Sequence, residues 1–548
     1  MRLLNKYLYL LTGGLTFLSF SCKKDFLQRD LSVVVDENAV FQDTLLAENF
    51  ATNSYAFLID DYARLNGSNK GMTGQFTDES ISNNNESFVS SMTAGNYLST
   101  QATEIVTIYG QMYKGIRNAN TTLARLDDYE GNWWKRSRIR GEQLFLRAFY
   151  YFELVKRFGG VVIIDKPQPV SEATTDLPRN SYEETVAFIL KDLNNAIELL
   201  PDEYLDKRYS GRATKGAAMA LKSRLLLLDA SPLRNPENNT DKWRVAAEAA
   251  AAVKLINKYK LEDSYADVLV LPASEEYIMI KPRAPRVLQG YLKDFIMPAS
   301  YGGAQSTISP TQNHVNLYGM QATGLPIGDP LSGYDENNPY VGRDPRFYVN
   351  ILYNGSSWQG RAVETFIGGR DVRGDNVTKT SYYVKRLWPE SVRSTVSNSQ
   401  GRVNFIFFRY AEILLNLAEA RNEQLSAPDQ EVYDAINEVR NRAGMPDLEN
   451  LDKDKMRERI RDERAVEFAF EEMRWWDVLR WKAGAEIVDQ TLYGMKIDKV
   501  GNTLTYQEVP LESAHQRPGF QERWHWYPIP LAEIRKSTGA LEQSPEWK

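Results

Sequence analysis

Residues 459–481 read RIRDERAVEFAFEEMRWWDVLRW, and no other stretch of the chain is so dense in aromatic rings and paired charge. At about 100° per residue, Ala465, Phe468, Ala469, Met473 and Trp476 fall on one face, and Glu463, Arg464, Glu467, Glu471 and Arg474 on the opposite one. The spacing predicts a single helix. Glu472, Asp477 and Arg480 land inside the apolar sector, where charge is tolerated only when paired or hydrogen-bonded. The stretch is therefore expected to be a keystone, buried on several sides. A catalytic carboxylate cluster is the competing reading, since perturbed carboxylates also mark active sites.

Immediately before it, Arg409 to Asn422 and Val432 to Ala443 form a pair of helical patterns closed by Gly444 as a C-terminal stop. An earlier pair, Ala213 to Ser231 and Trp243 to Lys258, is rich in alanine on its facing sides, which lets two helices approach closely. Both resemble tetratricopeptide hairpins. Further helices are expected at Leu45 to Leu58, Thr103 to Leu126, Trp134 to Phe158 and Tyr182 to Leu200, the last behind cap candidates Asn180 and Ser181. Residues 60–100 are rich in Gly, Asn and Ser, and residues 261–401 in Gly, Pro, Asn and Tyr, both with the signature of long loops. Within the second, Tyr277 to Ile280 and Phe347 to Tyr353 look strand-like, and the aromatic residues look exposed. The tail YPIPLAEIRKSTGALEQSPEWK predicts a proline-bounded turn and a short helix.

Composition narrows the chemistry. At 548 residues with a net charge of -6 and no run of five basic residues, the chain can bury a large core and is not built for nucleic acid. A single cysteine, Cys22, excludes disulfides within the chain, thiolate zinc sites and cysteine catalysis. His314, His515 and His525 have no metal-ligand spacing and are expected as ordinary surface or core residues, so no metal or cofactor is expected. Arg2 and Lys6 precede an apolar run from Tyr7 to Leu18, too short to span a membrane. Small Ser21 then stands before Cys22, the pattern of a bacterial lipoprotein signal in which the cysteine becomes the acylated N-terminus. The expected order is a signal peptide at 1–21, a lipidated tether at 22–44, a helical region at 45–260, a loop-rich ligand-binding region at 261–401 and a helical region at 402–548 packed into the same body.

In sequence order, SCKKDFLQRD, LRAFYYFELVKRFGGVVI, ATKGAAMALKSRLLL, FFRYAEILLNLAEARN, INEVRNRAGMP, the keystone and YPIPLAEI resemble the SusD/RagB family of surface lipoproteins, nearly end to end. The resemblance implies a mainly α fold: a tetratricopeptide-like superhelix carrying long variable loops and a few short strands. It implies an outer-membrane lipoprotein facing the cell exterior that delivers ligand to a SusC-like TonB-dependent transporter, with no chemistry of its own. The ligand it implies is an oligosaccharide, with a peptide, as in the RagB branch, as the alternative. A glycoside hydrolase working through two carboxylates is the rival of a different class.

Sugars present flat C–H faces and fixed hydroxyl pairs, so their sites combine aromatic rings with planar polar groups. Two loop regions hold that mixture. The first contains Asp78, Glu79, Asn83, Asn84, Phe88 and Tyr97; the second contains Tyr291, Tyr301, Tyr334, Tyr340, Trp358 and Arg361. Trp358 leads, because its neighbours in NGSSWQGR are too small and polar to bury an indole. Trp133, Trp134, Trp524 and Trp526 are expected in the core.

Overall fold

The computed structural model describes residues 37–59, 62, 71–83, 87–97, 103–129, 131–168, 177–283, 292, 295–302, 306–372, 377–390, 402–517 and 519–548. The segment expected to be an export signal, and Cys22, lie outside them. Asp43 accepts from Leu45 and Leu46 N–H groups to start α1 (Thr44–Asn53). The ladder proper begins with α2 (Thr103–Asp128) and α3 (Arg136–Phe158), and continues through α4 (Tyr182–Leu199), α5 (Lys215–Ala230) and α6 (Thr240–Leu255). Ser181 opens α4 with a capping box: its hydroxyl accepts from Glu184 N at 3.0 Å while the Glu184 carboxylate accepts from Ser181 N at 2.8 Å.

Each of these helices packs on the next, and α6 then packs on α7 (Tyr410–Gln424), followed by α8 (Gln430–Arg442). The hairpins read from sequence are thus adjacent rungs of one ladder, although some 150 residues of chain separate α6 from α7. Alanine is the reason they fit: Ala217, Ala218 and Ala220 on α5 and Ala250 on α6 are fully buried.

The keystone is not one helix. α9 (Lys453–Glu467) ends at Glu467, residues 468–472 turn, and α10 (Arg474–Arg480) follows. Phe470 at φ 61° and Glu472 at φ 63° occupy the left-handed region, which breaks helical periodicity. What the turn achieves explains the strain. Ile460, Phe468, Trp475, Val478 and Leu479 belong to the apolar core of the helical ladder, while Val466, Ala469 and Phe470 belong to a second core formed largely by residues 269–403. Turning the chain lets one segment feed both cores.

That second core corrects the picture of exposed aromatic loops: Tyr318, Phe347, Trp358, Tyr382, Tyr383 and Trp388 are all buried. Its strands are short and paired antiparallel in twos. β1 (Ser80–Ser82) pairs with β3 (Ile308–Pro310), β2 (Tyr277–Lys281) with β8 (Phe405–Arg409), β4 (Ile351–Leu352) with β7 (Tyr383–Val384), and β5 (Ser357–Trp358) with β6 (Arg361–Ala362). β9 (Tyr493–Val500) and β10 (Thr503–Pro510) form a hairpin. Phe347 to Tyr353 is mostly not strand: Pro345–Asn350 is a short helix, with Asp344 accepting from Arg346 N and Pro345 at the first turn, before β4. Trp134 is also not core; it precedes α3 and is 81% exposed, whereas Trp133, Trp524 and Trp526 are buried as expected.

Candidate ligand-binding site

The first question is which of the crowded charges are structural. Glu467 accepts from Arg409 at 2.5 Å and Arg346 at 2.9 Å and also pairs with Arg442. Glu471 takes Arg409 and Arg386, each at 2.9 Å, and Glu463 takes Arg346 at 2.6 Å and Arg440 at 3.0 Å. On α10, Asp477 holds Arg464 and Arg480, and Arg480 reaches Glu419 at 2.6 Å. Burial alone pushes the Glu467 carboxyl up, yet the three guanidinium groups hold it well below the usual range. These carboxylates are buried and saturated by guanidinium groups, so they clamp the fold.

Asp78 joins the same clamp, accepting both Arg474 bonds at 2.9 and 2.8 Å. Tyr97 packs with Trp524, Tyr527 and Trp547 at 5.9, 5.7 and 5.5 Å between ring centroids and is 4% exposed. Neither is available to a ligand. Asn84, Tyr291 and the Phe88 side chain lie outside the described residues. The two loop regions nevertheless meet: besides the β1–β3 ladder, Asn83 donates to Ser306 O at 2.6 Å. They build one pole of the molecule, not two sites.

At that pole Trp358, Tyr301 and Arg361 do come together. β5 and β6 are joined by Gln359 at φ 50° and Gly360 at φ 88°, the two left-handed residues of a tight hairpin turn. The turn sets Trp358 opposite Arg361 in register. Contrary to expectation the indole is fully buried and Tyr301 is only 8% exposed; the two rings pack with centroids 4.8 Å apart. Small neighbours in sequence did not leave it open, because residues distant in the chain cover it. Arg361 lies 3.6 Å over the Tyr301 ring and donates to both oxygens of Asp371 at 2.9 and 2.7 Å and to Ser300 at 3.0 Å. Ser300 in turn donates to Asp371. Asp371 is buried, but the Arg361 side chain is 22% exposed and Ser300 and Ser357 are at the surface. Ring, guanidinium, carboxylate and hydroxyl thus meet at one spot, with Arg361 as the group that solvent reaches.

Tyr334 and Tyr340 belong to a neighbouring aromatic nest. Tyr340 is buried against Phe347, Tyr353 and Tyr506, and its hydroxyl donates to Tyr382. Tyr334 is half-buried, with the Arg343 guanidinium 5.4 Å from its ring. Arg343 itself spends its donors on the carbonyls of Val315, Tyr318 and Pro339 and braces the loop. Ser300 and Asp371 were not read from the sequence, and no local signal marks them; they matter through Arg361, which lies 61 and 10 residues away. Among the described residues, no group of three or more His, Cys, Asp or Glu side chains is placed to hold a metal ion.

A profile of the SusD family matches residues 281–547, and a profile described as starch-binding associating with outer membrane matches residues 31–227. The chain belongs to the SusD/RagB family. SusD-like protein P2 of Formosa agariphila is 25% identical to this SusD/RagB chain over 393 residues, 69% of this chain and 72% of the relative. A solved SusD-like protein from Bacteroides fragilis NCTC 9343 superposes with a TM-score of 0.78 at 28% identity, covering 93% of this chain and 98% of its own. A SusD-like carbohydrate binding protein from the same organism, at 24% identity, shares the fold with a TM-score of 0.75 over 91% of this chain and 99% of its own.

Proposed function

We propose that this protein is a non-catalytic, lipid-anchored glycan-binding protein of the outer membrane. It captures oligosaccharides at the exterior through the pole built by β1, β3, β5 and β6, and passes them to a SusC-like TonB-dependent transporter. Cys22 is the acylated residue in this reading, and Arg361, backed by the buried Tyr301 ring, forms the contact surface with Ser300. The observation that carries it is the Arg361 cluster: a side chain 22% exposed, with its guanidinium 3.6 Å over the buried Tyr301 ring and beside exposed Ser300, sets planar donors and a hydroxyl at the surface for a sugar. Membership of a family with starch-binding and carbohydrate binding relatives supports the ligand class.

Burial pushes Glu79 up to about 8 and Glu104 up to about 7, and both are 1% exposed or less, so no substrate reaches these two; Asp462, pushed up to about 6, and Glu438 are half-buried. Affinity electrophoresis of the pure protein on a polysaccharide panel tests the proposal. Retardation without release of reducing ends is expected; reducing ends accumulating with time would sink it, as would mobility unaltered on every gel. Co-purification of a barrel transporter tests the hand-over.

A further inference from the structure

A separate groove of about 560 Å³ opens on the helical half, where residues 202–214 after α4, residues 257–259 after α6 and residues 272–280 leading into β2 converge. Its volume lies in the range of small-ligand sites. Four half-buried tyrosines line it, Tyr204, Tyr209, Tyr259 and Tyr277. Three of them turn their hydroxyls into the protein: Tyr204 lies 3.0 Å from Ala213 O and 3.1 Å from Glu142, Tyr277 donates to Val268 O, and Tyr259 bonds to Thr214. The fourth, Tyr209, is held between guanidinium groups, Arg138 at 4.7 Å and Arg212 at 5.1 Å from its ring. The rings are therefore fixed before any ligand arrives, which lowers the entropy lost on binding.

The polar lining adds the complementary chemistry. Asn257 offers a neutral donor and acceptor, the Ser274 hydroxyl is already spent on Glu262 at 2.6 Å and Glu276 N at 3.1 Å, and β2, paired on one side only among the described residues, lends the backbone edge of Tyr277 to Ile280. Arg212 is held by buried Glu142 at 2.7 Å, and Lys258 stands at the surface 3.4 Å from Glu203, while Asp202, Glu203 and Glu275 place carboxylates along the same lining. That excess of negative charge disfavours a uronate, sulfate or phosphate. Fixed rings with uncharged donors suit the C–H faces and hydroxyls of a neutral sugar.

We propose that this groove is a second carbohydrate site, taking a short neutral oligosaccharide. It rests on the carbohydrate reading above but uses none of the same residues. Two sites on one body let a single polysaccharide be held at two points, raising avidity without tightening either site.

Hydrogen exchange of the full-length protein, with maltohexaose, cellohexaose, xylohexaose and mannohexaose as probes, localises the contact. One probe is expected to protect amides in 202–214 and 272–280. Tyr209→Ala should weaken that protection about three- to tenfold, the share of one ring contact. Ala273→Trp, which fills the groove from an exposed loop position, should abolish it while leaving the melting temperature unchanged. Protection confined to 299–302 and 357–372 would overturn the groove and leave the proposed function standing. Groove protection surviving Ala273→Trp would also overturn it, as would no protection by any probe in a protein retarded on polysaccharide gels. If no carbohydrate binds in either assay, the function and the groove fall together.

Discussion

Around the α9–α10 turn, Arg346, Arg409 and Arg442 converge on Glu467 with every side chain at most 4% exposed, whereas at the loop pole Arg361 meets Asp371 with its side chain 22% exposed. The residue types are the same, although Glu467 takes one bond from each of three arginines and Asp371 takes both bonds of one. The difference is access. A buried cation cannot exchange its carboxylate for a ligand, because leaving one ionic partner uncompensated in the interior costs several kcal/mol. A rim guanidinium loses far less when it shares its donors, so the chemistry that locks the first site makes the second available.

Breaking the locked site should give the largest effect. Arg409→Ala leaves Glu467, Glu471 and Glu276 without a shared partner and is expected to lower stability by about 3–5 kcal/mol, read as a fall in denaturant midpoint. Glycan retention of the fraction that remains folded should be unchanged. A variant that melted normally yet lost binding would mean that the clamp is a site after all. Trp475→Ala, which removes an indole 2% exposed between α10 and Phe76, should cost about 3–5 kcal/mol by cavity formation alone. Trp476 is only half-buried, under Lys156 and Arg157 at 4.5 and 4.3 Å, and its truncation should cost less.

The interior acids give the same contrast a pH dependence. Glu104 has its pKa raised from 4.5 to about 7, and Glu79 from 4.5 to about 8, both chiefly by burial. A carboxyl raised on folding binds more protons in the native state, so its contribution is full below about pH 4.5 and is lost as the pH rises through 7 and 8. Glu463, Glu467 and Asp477 are held low by arginines despite burial and act in the opposite sense, losing their contribution as the pH falls below the ordinary carboxylate range. Burial also lowers His314, His515 and His525, and Lys156 to about 7, and these act against the raised acids as the pH rises. The Glu104 contribution is therefore read as a difference: the stability of Glu104→Gln relative to the native chain should rise between pH 5 and 7, and a difference independent of pH would remove Glu104 as a source of the slope.

Sequence reading carried furthest where local pattern and packing agree. Alanine runs and caps such as Ser181 with Glu184 marked the helices of the ladder to within a few residues, because small facing residues and side-chain caps act over one or two turns. It failed where a distant segment decides. The periodicity of 459–481 runs through the turn, since Phe470 and Glu472 enter the left-handed region only because two cores pull the chain in different directions. Trp358 reads as exposed beside Gly355, Ser356 and Ser357, but its cover is Tyr301 and the second core. Of the residues proposed for binding, Arg361 and the half-buried Tyr334 reach solvent; Asp371, the partner of Arg361, became visible only in three dimensions.

Arg361→Lys should give the smallest effect on stability and a selective one on binding. The ammonium preserves a positive charge beside Asp371, whose other contacts from Ser300 and Glu364 N remain, so the melting temperature should move by no more than a degree or two. What disappears is the flat guanidinium over Tyr301 and its forked donation, and an ammonium reproduces neither. Retention on whichever polysaccharide retards the native protein is expected to fall severalfold, with no change in the pH profile of unfolding. Equal retention in the lysine variant would show that Arg361 serves only to hold β6 against Asp371. The loop pole would then belong with the α9–α10 clamp as scaffold, and the contrast between a locked and an accessible arginine would no longer separate structure from binding in this fold.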